Sequence, residues 1–241
     1  MLRYLLRVSY DGSKYYGFQR LPKLPSVQSE LEQAISKVFK EKIEIKGAGR
    51  TDRGVHALDQ CVSFDAPFEI KEKDLKLAIN RHLSEYIHVT EAKKVSDLFH
   101  ARFSVKKKVY EYKINIGKYD PLYSSYYYQP KKPINIKGIK KASKVFIGLH
   151  DFKNFVSGEH EKTISRIYKI RIMKKNNILT IRIVGTNFYK YMVRNIVGAM
   201  LDYSSEKVSI NDLKEMLNNP KKKRQLSTAC PNGLYLVKIY Y

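Results

Sequence analysis

The spacing of apolar residues along the first half of the chain predicts strands and helices in alternation. Residues 1–10 mostly alternate apolar with polar side chains and end at Asp11-Gly12, which is typical of a strand that stops at a turn. Ser26 can cap a helix, because apolar positions recur at helical spacing from Val27 to Phe39. The elements predicted after it are a short strand at 43–46, a glycine-containing loop at 47–56, a strand at 60–64, a helix at 73–83 and a strand at 87–95.

The second half of the chain repeats this order of elements. Tyr110, Tyr112 and Ile114 share one face of a predicted strand at 109–116, and mostly polar residues lie on the other face. The remaining predicted elements are a helix at 136–146, two strands at 165–173 and 178–185 joined by a polar turn, helices at 192–201 and 210–217, and a strand at 234–241. Both halves therefore follow the order strand, helix, strand, strand, helix, strand, which is that of ferredoxin-like domains.

This order predicts an α+β fold built from two related ferredoxin-like halves, whose antiparallel sheets pack side by side around a central cleft. The boundary is expected near Ser104 to Lys108, which gives halves of residues 1–105 and 106–241. Because no linker rich in proline, glycine or serine separates the halves, we expect them to pack rigidly together. A cleft between them is the default place for a functional site.

The composition indicates a folded, strongly basic protein. The chain has 241 residues, of which 43% are hydrophobic, so it can bury a sizeable core. Lysine and arginine outnumber aspartate and glutamate by 46 to 23, a net charge of +23, which favours a polyanionic partner such as nucleic acid. Most of the basic residues are lysines in a chain that is also rich in isoleucine, asparagine and tyrosine, so biased codon usage is an alternative source of the excess.

The cysteines and the hydropathy pattern argue against several classes of protein. Cys61 and Cys230 cannot form a disulfide framework, and neither has a second cysteine or a histidine at metal-ligand spacing. The first ten residues indicate a strand rather than a signal peptide, and no apolar run is long enough to cross a membrane. We therefore expect a cytoplasmic protein with no metal and no membrane contact.

The loop at residues 47–57 contains three glycines, two arginines and one carboxylate. Ordinary turn chemistry explains the glycines but not why Asp52 lies between Arg50 and Arg53, although structural ion pairs also produce such clusters. Arginines would keep the Asp52 carboxylate ionised, which suits nucleophilic or electrostatic work, and they would also attract phosphate. A lone carboxylate argues against ordinary glycoside hydrolysis and against metal-dependent nuclease chemistry, which both use several.

At this loop and at six other places in the same order, the sequence resembles the tRNA pseudouridine synthase A family, over nearly all of its length. The matching segments are Tyr10-Asp11-Gly12 through Tyr16-Gly17-Phe18-Gln19, 49–57, 99–104, Tyr110-Glu111-Tyr112, 148–152, 192–198 and 233–237. Agreement at seven ordered segments is far more specific than a match to one short motif.

The resemblance implies an isomerase that breaks the N-glycosidic bond of a tRNA uridine, turns the base and rejoins it through C5. The implied substrate is the anticodon stem-loop of tRNA, around positions 38 to 40, which is recognised mainly by RNA shape and backbone. It also implies a homodimer and no cofactor. By the same resemblance Asp52 is the essential carboxylate, which attacks C1′ or assists a glycal route.

Three further catalytic residues are implied by the family motifs. Tyr110 matches the tyrosine that stacks on the target base and can accept the C5 proton, although the residues alone favour a core aromatic. Arg194 matches an arginine that pairs with the carboxylate, although its place beside an apolar helix face suggests a surface arginine. Arg50 matches an arginine that helps to displace the base.

In addition to these catalytic roles, we expect five residues to bind the substrate: Tyr110, Arg53, Lys108, Phe188 and Lys190. Lys108 stands where the family usually has arginine, which keeps the charge but loses a bidentate phosphate contact. The segments 187–191 and 230–231 also depart from the commoner family pattern. We expect these departures to affect substrate preference, whereas the catalytic match is complete.

Two other classes of function remain open from the residues alone. A non-enzymatic RNA-binding protein would use the basic surface, but it would gain nothing from an anion that faces phosphates. A hydrolase would cleave the same glycosidic bond and release uracil. The mass of the RNA product distinguishes the hydrolase from the isomerase, because isomerisation leaves the mass unchanged.

Overall fold

The computed structural model describes residues 2–159, 161–219 and 226–241. The chain forms two compact units, of which the first comprises residues 1–106 together with Tyr235–Tyr241 and the second Lys107–Leu234. Strands and helices are mixed in both, so the predicted α+β class is confirmed. The division differs from the expected one in that residues 235–241 group with the first unit.

The first unit is a mostly antiparallel sheet with two helices. Its elements are β1 (Leu2–Tyr10), α1 (Val27–Phe39), β2 (Lys46–Gly47), β3 (His56–Ala66), α2 (Glu72–Asn80) and β4 (Ile87–Val95). Strand β1 pairs antiparallel with β3 on one side and β4 on the other, and β2 pairs antiparallel with β3. The final strand of the chain, at Leu234–Tyr240, runs parallel to β3 where His56 and Ala57 meet Tyr235 and Leu236.

The apolar pattern explains how the first unit is packed. Alternate residues of β1, among them Tyr4, Leu6 and Val8, are completely buried, as the period of two predicts. Helix α1 begins where the sequence indicates, because the Ser26 side chain accepts a hydrogen bond from the Ser29 N–H. Helix α2 ends at Asn80, three residues before its predicted end, and β3 extends beyond the predicted 60–64 on both sides.

The second unit also combines one antiparallel sheet with helices. Its elements are β5 (Lys107–Asn115), α3 (Ile136–Ser143), β6 (Gly148–Asp151), β7 (Ile164–Lys175), β8 (Ile178–Gly185), α4 (Met192–Ser204) and α5 (Ile210–Asn218), and the chain's final strand is β9 (Leu234–Tyr240). The strand order in this unit is β5-β8-β7-β6, with every neighbouring pair antiparallel. Strand β6 was not predicted, because it has only four residues of mixed polarity and pairs with β7 alone.

Local details of the second unit follow its turn and cap residues. The hairpin between β7 and β8 closes on Asn176 and Asn177, and Asn176 has a positive φ of 52°, which asparagine tolerates. Ser209 caps α5 in a reciprocal pair with Asp212. The predicted helix at 136–146 ends as an α-helix at Ser143 and continues as a 3₁₀ turn. Among the described residues, no helix combines the length and hydrophobicity needed to cross a membrane.

Candidate active site

Asp52 begins a tight turn in the loop that precedes β3. Its backbone carbonyl accepts a hydrogen bond from the Val55 N–H at 3.1 Å, and Gly54, the third residue of the turn, has a φ of 79°. A type II turn requires a positive φ at that position, so glycine is the residue that the backbone needs there. Asp52 is partly exposed, and Arg50 and Arg53 on either side of it are exposed.

Thr51 fixes the loop on the N-terminal side of Asp52. Its buried hydroxyl lies 2.7 Å from the hydroxyl of Tyr10, and its carbonyl accepts the Phe18 N–H at 3.1 Å. Burial raises the pKa of Tyr10 to about 12, so this phenol stays protonated at neutral pH. Gly17 has a φ of 113°, and a Cβ there would lie 2.9 Å from the Thr51 carbonyl oxygen. The backbone of the 15–18 segment therefore lies directly against the residue before Asp52.

His56 fixes the loop on the other side. Its Nδ1 lies 3.1 Å from the Gly12 backbone nitrogen and 3.2 Å from Oδ1 of Asp11, and its ring stacks on Tyr235 with centroids 4.7 Å apart. No catalytic role was predicted for His56, and these contacts were not predicted either, because they join residues that are distant along the chain. Residues of the first segment that matches the family, 10–19, thus contact the Asp52 loop on both sides.

Arg53 does not lie free in solvent. Its guanidinium carbon is 4.2 Å from the centre of the Tyr16 ring, a cation–π contact that aligns the side chain along the same segment, 10–19. Both residues of this pair are exposed, which leaves the guanidinium edge accessible to phosphate oxygens. The substrate contact expected for Arg53 stays a prediction.

In the second unit, Tyr110 lies on β5 with 6% of its surface exposed. It shares the buried face of the strand with Tyr112 and Ile114, as the alternation predicts. Phe188 contacts it edge to face, with ring centroids 5.0 Å apart. A Cβ on Gly185 would lie 2.8 Å from the Phe188 ring, so a glycine at the end of β8 makes room for this contact. Tyr110 is thus packed in the core of the unit by its ring.

Arg194 lies in the first turn of α4 and is held by three contacts. Its Nε donates to the Ala229 carbonyl at 2.8 Å, while the Ala229 N–H donates to the Arg194 carbonyl at 3.1 Å. Its guanidinium carbon lies 4.6 Å from the centre of the Tyr191 ring, and Tyr191 itself has a φ of 63°. The side chain is partly buried, so Arg194 is a fixed group rather than the mobile surface arginine that its helix position suggests.

The segment 227–229 was not identified from the sequence, although it supports Arg194. A Cβ on Gly198 would lie only 1.6 Å from the Ser227 carbonyl oxygen, so the segment runs directly along α4. Ser227 is tied to the buried carboxylate of Asp202 through its N–H and its hydroxyl, at 2.8 and 2.7 Å. The only signal for this arrangement is the glycine within an otherwise apolar helix, which indicates a close backbone approach.

The structure distributes the expected site residues over both units. Asp52, Arg50 and Arg53 lie together in one loop of the first unit. In the second unit, Tyr110 contacts Phe188, and Lys190 and Arg194 both approach Tyr191. Lys108 lies partly buried on β5, two residues before Tyr110. Within residues 2–159, 161–219 and 226–241, no group of three or more histidine, cysteine, aspartate or glutamate side chains is arranged to hold a metal ion.

The comparison with known proteins agrees with the motifs. A family model of tRNA pseudouridine synthase matches residues 7–104 and 142–241, and this class of isomerase converts uridine in tRNA to pseudouridine. Relatives named tRNA pseudouridine synthase A align over their full lengths with all of this chain: 38% identical in Borrelia turicatae, 36% in Thermosipho melanesiensis and 40% in Malacoplasma penetrans. The chain belongs to the tRNA pseudouridine synthase A family. The predicted family and enzyme class are confirmed.

Proposed function

We propose that this isomerase acts on the anticodon stem-loop of tRNA, around positions 38 to 40, with Asp52 as its essential carboxylate. The observation that carries the proposal is the loop at 51–56, where a single carboxylate lies on a turn that buried contacts fix on both sides. A fixed carboxylate is what a reaction at a ribose carbon needs, because misplacement by about 1 Å can cost about a hundredfold in rate.

The reaction exchanges one bond to C1′ for another. The N1–C1′ bond of uridine breaks, the base turns, and the C5–C1′ bond forms, after which C5 loses a proton and N1 holds one. The atoms balance without an oxidant, a reductant or water. Asp52 acts on the ribose, either as a nucleophile at C1′ or as the base of a glycal route, and the base must leave the helical stack, which costs a few kcal/mol.

The remaining residues receive the roles that the family resemblance implies. Tyr110 stacks on the turned base and accepts the C5 proton, and its position at the edge of the Phe188 ring limits its motion. Arg194 takes the role of the arginine that the family motif pairs with the essential carboxylate, and its Nε hydrogen bond to the Ala229 carbonyl holds the guanidinium within its own unit. Arg50 helps to displace the base. Arg53, Lys108, Phe188 and Lys190 bind the substrate, and the net charge of +23 supplies attraction to RNA that weakens with salt.

We also propose that both units follow the ferredoxin-like plan. In the first unit β4, β1, β3 and β2 are neighbours in that order and pair antiparallel, β9 is added parallel to β3, and two helices lie in the ferredoxin-like sequence positions. In the second unit the order β5-β8-β7, with α3 before β7 and α4 after β8, supports a repeat of the same plan to which β6 is added. We also propose that the protein works as a homodimer in the cytoplasm, as the family resemblance implies.

The direct test replaces Asp52 with asparagine, which keeps the shape and removes the charge. Asp52→Asn should abolish pseudouridine formation in an unmodified tRNA transcript, mapped nucleotide by nucleotide, while the affinity for tRNA stays within about threefold of wild type. Asp74→Asn, at an exposed carboxylate in the first turn of α2, is the matched control and should keep full activity. An active Asp52→Asn, or loss of tRNA binding by a folded variant, contradicts the chemical role. Loss of uracil mass from the RNA would indicate hydrolysis instead.

A further inference from the structure

His56 is a buried side chain four residues after Asp52 that the reaction itself does not use. Only 2% of its surface is exposed, and its ring is stacked on Tyr235 at an interplanar angle of 20°. Tyr235 lies in β9, which pairs with β3 at His56 and Ala57. The strand that follows the second unit in sequence therefore sets the plane of the imidazole.

The imidazole can hold the turn at residues 11–12 in either protonation state. A neutral ring accepts the Gly12 N–H at Nδ1, over 3.1 Å. A protonated ring donates from the same nitrogen to Oδ1 of Asp11, over 3.2 Å. In both states one nitrogen of His56 joins this turn to the beginning of β3.

The turn at residues 11–12 lies against the loop that carries Asp52. A Cβ on Gly12 would lie 2.0 Å from the carbonyl oxygen of Val55, so the two backbones are in direct contact. Val55 in turn closes the tight turn that begins at Asp52, through its N–H. Gly12 is therefore linked to Asp52 through Val55, by one close backbone approach and one hydrogen bond.

We propose that His56 is a positioning residue for the reaction: by fixing Asp11-Gly12 against Val55, it sets where the Asp52 carboxylate meets the ribose. His56 itself touches none of the reacting atoms. This inference rests on the proposed function, because it gives His56 a purpose only if Asp52 performs the chemistry. It predicts that the loss of His56 lowers the rate of the bound complex and not the affinity for tRNA.

A pair of similarly shaped substitutions tests the role. Asparagine at position 56 can accept from Gly12 or donate to Asp11, whereas leucine can do neither. His56→Leu should lower the single-turnover rate by about 10- to 100-fold, with the Kd for tRNA within about twofold of wild type. His56→Asn should recover the rate to within about fivefold of wild type. His88→Leu, the same change at an exposed histidine of β4, is the control and should keep the full rate.

Three outcomes overturn the proposal: a wild-type rate for His56→Leu, equally low rates for folded His56→Leu and His56→Asn, or rate and tRNA affinity that fall together. If thermal melting shows that His56→Leu does not fold, Tyr235→Leu is the alternative variant. It keeps histidine at position 56 but removes the ring that is stacked on it. Its rate should fall by about three- to tenfold, and a wild-type rate would overturn the proposal. The Asp52→Asn variant distinguishes failure of the proposed function from failure of the positioning role. If Asp52→Asn is active, the proposed function is wrong. If Asp52→Asn is inactive and His56→Leu is fully active, only the positioning role is wrong.

Discussion

The buried carboxylate of Asp59 accepts a hydrogen bond from the backbone N–H of Ile239 at 3.0 Å, which ties the strand β9 to the strand β3. The same carboxylate is bonded to Arg7 and lies 3.4 Å from Nζ of Lys238. Only 7% of the Asp59 side chain is exposed, and Arg7 is 19% exposed. One carboxylate thus neutralises a guanidinium within the first unit and anchors the residues that place Tyr235 beside His56.

Replacing Asp59 with alanine should therefore be costly. The change removes the buried partner of Arg7, which keeps only its ion pair at 3.3 Å with the exposed Glu91 among the described carboxylates, and it removes the acceptor of the Ile239 N–H. We therefore expect a loss of about 2 kcal/mol in the free energy of unfolding. Urea unfolding measures it. Asp65→Ala is the control, because Asp65 pairs with Arg3 while 46% exposed and should contribute less than about 1 kcal/mol. Equal losses in the two variants would show that burial of the Asp59 pair is irrelevant.

Two glycines with positive φ make it possible to distinguish the effect of backbone strain from the effect of displacing the loop that carries Asp52. Gly17→Ala and Gly158→Ala both place alanine at a strained φ, of 113° and 85°, and each should lose about 1 to 3 kcal/mol of stability. Only at Gly17 does the added Cβ also press on the carbonyl of Thr51, beside Asp52; at Gly158 no atom of the described residues lies within 4 Å of it. We therefore expect Gly17→Ala to lower turnover by about tenfold or more, while Gly158→Ala keeps it. Single-turnover rates at a temperature where both variants are folded decide the point, and equal rates would rule out the coupling.

Arg194→Lys keeps the positive charge but should not keep the activity. Lysine has no Nε to donate to Ala229 and no planar face to lie on Tyr191, so its ammonium would not be held in one place. We expect turnover to fall by at least about tenfold, with tRNA affinity less affected. Arg171→Lys, at an exposed position of β7, should behave as wild type. Steady-state kcat and KM for both variants test this, and normal kcat for Arg194→Lys would mean that charge alone is sufficient.

Cys61 should make the fold sensitive to alkali. Burial, with the nearby Asp59 carboxylate, raises the pKa of this thiol to about 12 in the folded state, whereas an unfolded cysteine ionises near 8.5. The folded state therefore holds a proton that the unfolded state releases, and stability falls as the pH rises between these values, by about 1.4 kcal/mol per pH unit. The stability of Cys61→Ala should decline less steeply from pH 9 to pH 11 in urea titrations. Parallel curves for wild type and Cys61→Ala would contradict this assignment.

Cap residues and hydrophobic periodicity within a segment predicted those elements that are determined by contacts within the segment. Ser26 and Ser209 begin α1 and α5 as their capping chemistry requires. Tyr110, Tyr112 and Ile114 of β5 are buried on one face as their alternation predicts, but Val109, Glu111 and Asn115 on the other face are buried as well. Strand β6 was missed because its residues form a strand only through pairing with β7. The same reason explains what was missed at the site. The contact of His56 with Gly12 spans 44 positions and that of Arg194 with Ala229 spans 35, and no pattern in either segment alone indicates its partner.

The grouping of residues 235–241 with the first unit has a consequence for biosynthesis. The ribosome makes the first unit's other strands long before it makes β9, and the whole second unit is translated in between. Until then the stacking contact of Tyr235 on His56 and the hydrogen bond from the Ile239 N–H to Asp59 are not formed, so two contacts that hold β3 come last. A polypeptide released before β9 is made would lack this strand, and the defect would lie at β3, far from β9 in the sequence.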